Sequence, residues 1–247
     1  MLRKACLITG ISGEIGASIA KRYLDNDFMV IGVDINPPQH NYFSHFILTD
    51  LHSVVVDEAA RKVFFDEVKE LLIGMQLKVL VNNAAVQILT SGDLNDVDKL
   101  VKSHIINVAA PLLLYRALSF RLEKDTGALV NIGSIHSTLT KNGFALYASS
   151  KAALKSLTKS LAIESEGKVL VFSVEPAAID TKMLRRGFGD NKKALKELSS
   201  YHPVKRIGSP EDLSSLVWYL TSSNNMFLHG SCIDLSGGIS GVLHDPG

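Results

Sequence analysis

The stretch ACLITGISGEIGASIAKRYLDNDFMVIGVD, residues 5–34, decides how the rest of the chain reads. An apolar run (5–10) ends in a loop with glycines at 10, 13 and 16, passes into an amphipathic segment (14–26), and returns to a second apolar run (28–34) closed by Asp34. Strand, tight turn, helix and strand make one βαβ unit, which places the two strands parallel in a helix-covered sheet. Gly10, Gly13 and Gly16 let the backbone bend sharply and approach a ligand, and the helix that starts there offers its free N–H groups to an anion. With Ser12, Glu14 and Ile15 between the glycines, the loop is a candidate pyrophosphate cradle. Asp34, followed by Ile35, stands where a carboxylate accepts hydrogen bonds from an adenosine ribose. A lone Asp before NPP also reads as a turn former, but the glycine loop upstream favours the ribose. The carboxylate would repel a 2′-phosphate, and no Arg or Lys in the loop or just after Asp34 would welcome one. NAD is therefore expected in preference to NADP.

Outward from this unit the alternation repeats. Runs at 45–50, 77–84, 127–134, 168–176 and 231–238 read as strands, and patterns near 53–73, 96–121, 145–165 and 210–221 as helices. Near-continuous hydrophobicity suits strands buried on both faces of a parallel sheet. The spacing predicts an α/β fold, a doubly wound sheet of about seven mostly parallel strands with helices on both faces. No linker, charge block or internal repeat divides residues 1–247, so a single domain is expected.

At 46% hydrophobic and 21% charged, with a formal net charge of +1, the chain has a globular composition and lacks the basic excess of a nucleic-acid binder. The apolar run after MLRK is too short for a signal peptide, and no stretch reaches the roughly 18 apolar residues of a membrane span. Neither nucleic acid nor membrane is an expected partner. Cys6 and Cys232 sit in separate apolar runs without metal-type spacing. They read as two buried thiols in a reducing cytoplasm, with no metal site.

The run ALYASSKAALKSLTKSLA, residues 145–162, carries Tyr147 and Lys151 four apart and so on one helical face. Such a pair is either surface decoration or a proton donor with a neighbour that tunes it. Together, TGISGEIG (9–16), VNNAA (81–85), NIGS (131–134) and YASSK (147–151) resemble the short-chain dehydrogenase/reductase family, over a span from Thr9 to LSGG at 235–238. The most specific element is Ser134, Tyr147 and Lys151, with Ser134 thirteen residues before Tyr147.

The resemblance implies a Rossmann-type domain that transfers a hydride between a nicotinamide cofactor and a small alcohol or carbonyl substrate. It implies Asp50 and Leu51 near the adenine, Asn83 and Ala84 near its ribose, and EPAAIDT (175–181) beside the nicotinamide through Pro176, Ile179 and Thr181. Tyr147 and Lys151 would contact the cofactor as well as the substrate. Asn107, in HIINVAAP (104–111), is similar to the family asparagine that supports a proton-leading water near the lysine. Ser134 would hydrogen-bond the substrate oxygen. A homo-oligomer, tetramer or dimer, is also implied.

A free phenol titrates near 10, too high for ready proton exchange at neutral pH. Lys151 at about 5 Å and an effective dielectric of about 20 would favour the phenolate by roughly 3 kcal/mol, about two pKa units. Tyr147 is thereby expected to serve as general base in alcohol oxidation and general acid in carbonyl reduction.

Three departures from the family pattern stand out. Glu14 replaces the middle glycine of the loop, giving a spacing similar to longer relatives that act on nucleotide sugars; NNAA replaces Asn-Asn-Ala-Gly; and Ala177 replaces a glycine. The first leaves an NAD-dependent sugar epimerase or dehydratase as a second reading. A non-catalytic NAD-binding sensor is a third, disfavoured by the intact Ser134, Tyr147 and Lys151. Gln87 with His136 resembles the pairing in 3-hydroxybutyrate dehydrogenases, which implies a small carboxylate-bearing substrate. A basic segment at about 182–200 reads as a substrate lid with Gly187 and Gly189 as hinge, its charge either that of a solvated helix or a match to an anionic substrate. In it Met183 is placed to cap the pocket, and Arg185 or Arg186 to meet an anionic substrate.

Overall fold

Short apolar strands with no polar face must be covered on both sides, and the chain does this in one sheet. The computed structural model describes residues 2–124, 126–189 and 191–243. Its strands are β1 (Arg3–Thr9), β2 (Met29–Asp34), β3 (His45–Leu48), β4 (Met75–Asn82), β5 (Ala128–Ile132), β6 (Leu170–Pro176) and β7 (Cys232–Leu235). They form one sheet in the order β3-β2-β1-β4-β5-β6-β7, and every pairing is parallel. The chain builds outward from β1 to β3, then crosses back to place β4 on the other side of β1. That reversal opens a crevice at the carboxyl ends of β1 and β4, where such sheets bind ligands.

Alternate residues of β1 feed two cores. Ala5 and Leu7 pack with Phe64, Val68, Leu114, Leu118 and Leu161, which lie on α3 (Glu58–Leu71), α5 (Ala110–Glu123) and α6 (Ala145–Ser165). Cys6 and Ile8 pack on the opposite face with Ile19, Tyr23, Leu213 and Val217, from α1 (Glu14–Leu24) and α9 (Pro210–Ser222). The expected architecture is thus present, with seven strands all parallel.

Two expected helices are divided. The segment read as one helix over 53–73 is α2 (Leu51–Val56) and α3, because extended Asp57 stops the first and caps the second by accepting from Ala59 and Ala60 N–H. The segment 96–121 is α4 (Asp96–His104), a π-helical turn (Ile105–Ala109) and α5. As one helical stretch, Asp96–Glu123 is long and apolar enough by length and composition to cross a membrane, which the apolar-run reading overlooked. Its apolar side chains Leu114, Leu118 and Leu122 are buried in the sheet-facing core. Cys232 is half-buried rather than buried. The lid segment forms α7 (Lys182–Gly187) and α8 (Lys192–Tyr201).

The glycine loop depends on missing Cβ atoms at two positions. Gly10 adopts φ +69°, and a Cβ there would come within 2.8 Å of the Ala84 backbone. A Cβ at Gly16 would lie 2.2 Å from Gly10 O. At Gly13 it would meet only Gly10 O, at 3.5 Å. Gly16→Ala is therefore expected to lower stability by about 1–3 kcal/mol through overpacking, and Gly13→Ala by under about 1 kcal/mol. Thermal melts of the two variants check this, and equal losses would contradict it.

Candidate active site

The site gathers at the carboxyl ends of β1, β2, β4, β5 and β6. At the β1 end, Thr9 Oγ1 accepts from Asn83 N (3.1 Å) and Ala84 N (3.0 Å). The Asn83 amide donates back to Thr9 O (3.1 Å) and Gly10 O (2.9 Å). Asn83 thus ties the end of β4 to the glycine loop and sets the shape of the crevice. Gly13 caps α1 with no side-chain hydrogen bond, so the first-turn N–H groups meet no capping side chain. Asp34 accepts from Ser12 N with one oxygen and Asn36 N with the other, both at 3.0 Å. Ile35 beside it is exposed. Asp50 caps α2 by accepting from His52 N at 2.9 Å, and Leu51 is buried.

Glu14 has a role the sequence did not reveal. Its carboxylate accepts from the backbone N–H of Lys182 and from Arg185, the latter at 2.8 Å. Arg185 also donates to Asp180 at 2.5 Å. The residue replacing a glycine therefore fastens α7 to the glycine loop. Arg185, expected to meet an anionic substrate, is already engaged by two carboxylates. Thr181 caps α7, accepting from Leu184 N; Ile179 is buried, Pro176 closes β6, and Met183 is exposed.

Across the crevice, β5 ends at Ile132 and the chain turns through Gly133 to Ser134. Ser134 N donates to Glu175 Oε2 at 2.9 Å, and Ser134 Oγ accepts from His136 N at 3.2 Å. Tyr147, half-buried in the first turn of α6, packs edge-on to His136 with ring centroids 5.9 Å apart. Lys151 is buried and donates to Ile132 O at 2.7 Å, with Nζ 5.8 Å from the Tyr147 ring centroid. The expected trio is thus brought together.

Asn107 sits buried in the π-helical turn, a type of irregularity frequent at functional sites. Its Oδ1 accepts from Val86 N (2.8 Å), and its Nδ2 donates to Val86 O (2.9 Å) and Ser150 Oγ (2.9 Å). Ser150 in turn donates to Tyr147 O at 2.8 Å. Asn107 thereby joins the loop after β4 to the helix that carries Tyr147.

Electrostatics corrects the sequence estimate for Tyr147. Burial pushes the phenol up to about 12, against the Ser134 hydroxyl and with help from Glu175. Burial also pulls the Lys151 ammonium down to about 8, with Glu175 opposing. Desolvation wins over the expected pull of Lys151, whose proton is directed at a backbone carbonyl. Without a cofactor, Tyr147 holds its proton at neutral pH.

His136, expected to face the substrate, is stacked on Phe144 with ring centroids 4.6 Å apart. Burial lowers the His136 pKa and Lys141 adds to this, and its Nδ1 has no hydrogen-bond partner among the described residues. Lys141 Nζ lies 4.4 Å from the Phe144 ring centroid and 6.0 Å from that of lid residue Phe188. Gln87 is exposed on the loop after β4. Sequence reasoning missed Lys141, which no motif marks. It also missed Glu175, although a Glu within the otherwise apolar KVLVFSVEP was a visible signal.

The site fits a nicotinamide dinucleotide: a tight glycine turn in which a Cβ at Gly10 or Gly16 would strike the backbone of Ala84 or Gly10, an uncapped helix start and a carboxylate at the β2 end. The comparisons with known proteins agree. The family model described as enoyl-(acyl carrier protein) reductase matches residues 10–240. Dehydrogenase/reductase SDR family member 4 of Homo sapiens is 30% identical over 250 residues, covering 96% of this chain and 88% of the relative. Acetoacetyl-CoA reductase of Cupriavidus necator is 28% identical over 253 residues, covering 97% and 99%. The solved structure of 4-hydroxyisoleucine dehydrogenase complexed with NADH superposes with a TM-score of 0.86 at 27% identity, covering 98% of this chain and 100% of that one.

Proposed function

The chain belongs to the short-chain dehydrogenase/reductase family and is a nicotinamide-dependent oxidoreductase of alcohols and carbonyls; we propose that it works with NAD on a small anionic substrate, with Tyr147 as the proton-transfer residue. The observation that carries this reading is the convergence of Ser134, Tyr147 and Lys151 beside the glycine loop. When bound, the nicotinamide supplies or accepts the hydride.

Ser134 and Tyr147 hold the substrate oxygen. In carbonyl reduction the protonated Tyr147 delivers its proton to that oxygen as general acid, and in alcohol oxidation the phenolate accepts it. Lys151 carries positive charge below about pH 8, which favours phenolate formation through space. Positive charge on an oxidised cofactor acts in the same direction. Asn107 keeps the Tyr147 turn in register with the loop after β4 and orders the surroundings of Lys151.

For the cofactor, Gly10, Ser12, Gly13, Ile15 and Gly16 cradle the pyrophosphate. Asp34 spends one hydrogen bond per oxygen on Ser12 and Asn36, leaving acceptor capacity for ribose hydroxyls. Asp50 and Leu51 lie toward the adenine, Asn83 and Ala84 toward its ribose, and Pro176, Ile179 and Thr181 beside the nicotinamide. For the substrate, His136 supplies a ring packed edge-on to Tyr147. Lys141 supplies the cation that Arg185 does not, with Gln87 and Met183 at the rim. The glycine spacing shared with nucleotide-sugar enzymes is accounted for here by Glu14 and its bonds to the lid.

We further propose a homo-oligomer, a dimer or tetramer. Phe227 is fully exposed and Ile163 is 79% exposed, a cost that a second copy would relieve.

Tyr147→Phe is expected to bind cofactor normally and lose about 10²-fold or more in turnover; near-normal turnover would contradict the assignment. Comparing kcat/KM is expected to favour NAD over NADP, with the preference shrinking in Asp34→Ala. Equal or better use of NADP by the wild type would contradict the role of Asp34. Light scattering at micromolar concentration is expected to give a dimer or tetramer mass, and a monomer mass would refute the assembly.

A further inference from the structure

A carboxylate lies fully buried directly behind the catalytic serine. Glu175, the sixth residue of β6, is 0% exposed. One oxygen accepts from Ser134 N at 2.9 Å and the other from Ser173 Oγ at 2.5 Å. The space it fills exists only because residue 133 is glycine, since a Cβ there would lie 2.3–2.5 Å from the carboxylate atoms. Removing a carboxylate from water is costly unless it meets specific partners, and here the partners belong to the turn that presents Ser134.

We propose that Glu175 is a positioning residue of the active site: its buried carboxylate, bonded to Ser134 N–H and seated under Gly133, fixes the turn that carries Ser134 behind the Tyr147–Lys151 pair and poises the enzyme for carbonyl reduction. The inference rests on the reading of Tyr147 as the proton-transfer residue.

The charges around the pair define the effect. Tyr147 is faced by the Ser134 hydroxyl at the end of β5, by Lys151 one turn along α6, by His136 in the turn after β5, and by Glu175 from β6. Glu175 is neighboured on β7 by Cys232 and by exposed Asp234, its partner in strand register. Lys141, over Phe144, is the next cation outward. Among these, Glu175 is the buried anion. A like charge disfavours the phenolate and an unlike charge favours the ammonium, so Glu175 raises both groups. A reductase needs the proton on Tyr147 at the start of each cycle; an oxidase needs it gone.

Glu175→Gln keeps the size and the acceptor for Ser134 N–H but removes the charge. Glu175→Asp keeps the charge. Phenolate absorbance titrated in the cofactor-free protein, each form read against its own Tyr147→Phe double, isolates Tyr147. The Gln variant is expected to form phenolate at lower pH than wild type, and the Asp variant to stay near wild type. In turnover, the rising limb of alcohol oxidation, where Tyr147 loses its proton, should move to lower pH in the Gln variant, with KM for the cofactor little changed. A Gln variant that melts lower but titrates as wild type would overturn the proposal by reducing Glu175 to a structural role. If the Gln variant does not fold, Glu175→Ala read in the same way decides: phenolate forming at lower pH than in wild type supports the proposal, and a titration that matches wild type would overturn it. The titration needs no substrate, so a shift seen in a protein that turns over nothing would uphold this inference while contradicting the proposed function.

Discussion

One interaction organises the catalytic half of this molecule: the Lys151 ammonium, almost wholly buried, donating to Ile132 O at 2.7 Å. That carbonyl faces Lys151 because β5 ends at Ile132 and the chain leaves the sheet at Gly133. A buried ammonium without such a partner would cost several kcal/mol, so the bond fixes the first turns of α6 against the strand end. Further polar contacts keep the register. Asn131 donates to Thr158 on α6 and accepts from Asn82 on β4. Asn107 reaches α6 through Ser150. Slipping α6 by one turn would break all of these together and carry Tyr147 away from Ser134.

The same burial that fixes geometry sets the proton inventory. Desolvation drives the phenol and the ammonium in opposite directions, each toward its neutral form. The resting site therefore holds a protonated Tyr147 beside a lysine whose charge is only moderately favoured at neutral pH. In the proposed function, positive charge on a bound cofactor would favour the phenolate. On the other side of the crevice, Glu14 bonds the start of α7 to the glycine loop, so these two segments are mechanically joined.

Much of this was legible in the sequence. Continuous apolar runs and a glycine turn between strand and helix are local signals, and they gave the strand count and the crevice. The helix spacing of Tyr147 and Lys151 is likewise local. What escaped detection depends on contacts distant in sequence. Glu14 looked like a defect in a glycine motif because its partners lie some 170 residues away. Asp57 and the π-helical turn at Asn107 broke helices whose hydrophobic period continued unchanged, since capping and backbone irregularity act below the reach of periodicity. The shift of Tyr147 was given the wrong sign because charge separation can be guessed from helix spacing, whereas desolvation requires the folded surroundings.

The central claim is intermolecular hydride transfer at the Ser134–Tyr147–Lys151 site. It is tested most directly by incubating the enzyme with NADH deuterated at C4 and a panel of small ketones, 2-oxo acids and 3-oxo acids, with product masses read by mass spectrometry. The account expects at least one alcohol product carrying a single deuterium on its carbinol carbon, absent with Tyr147→Phe under the same conditions. Binding of NADH without label in any product would contradict it.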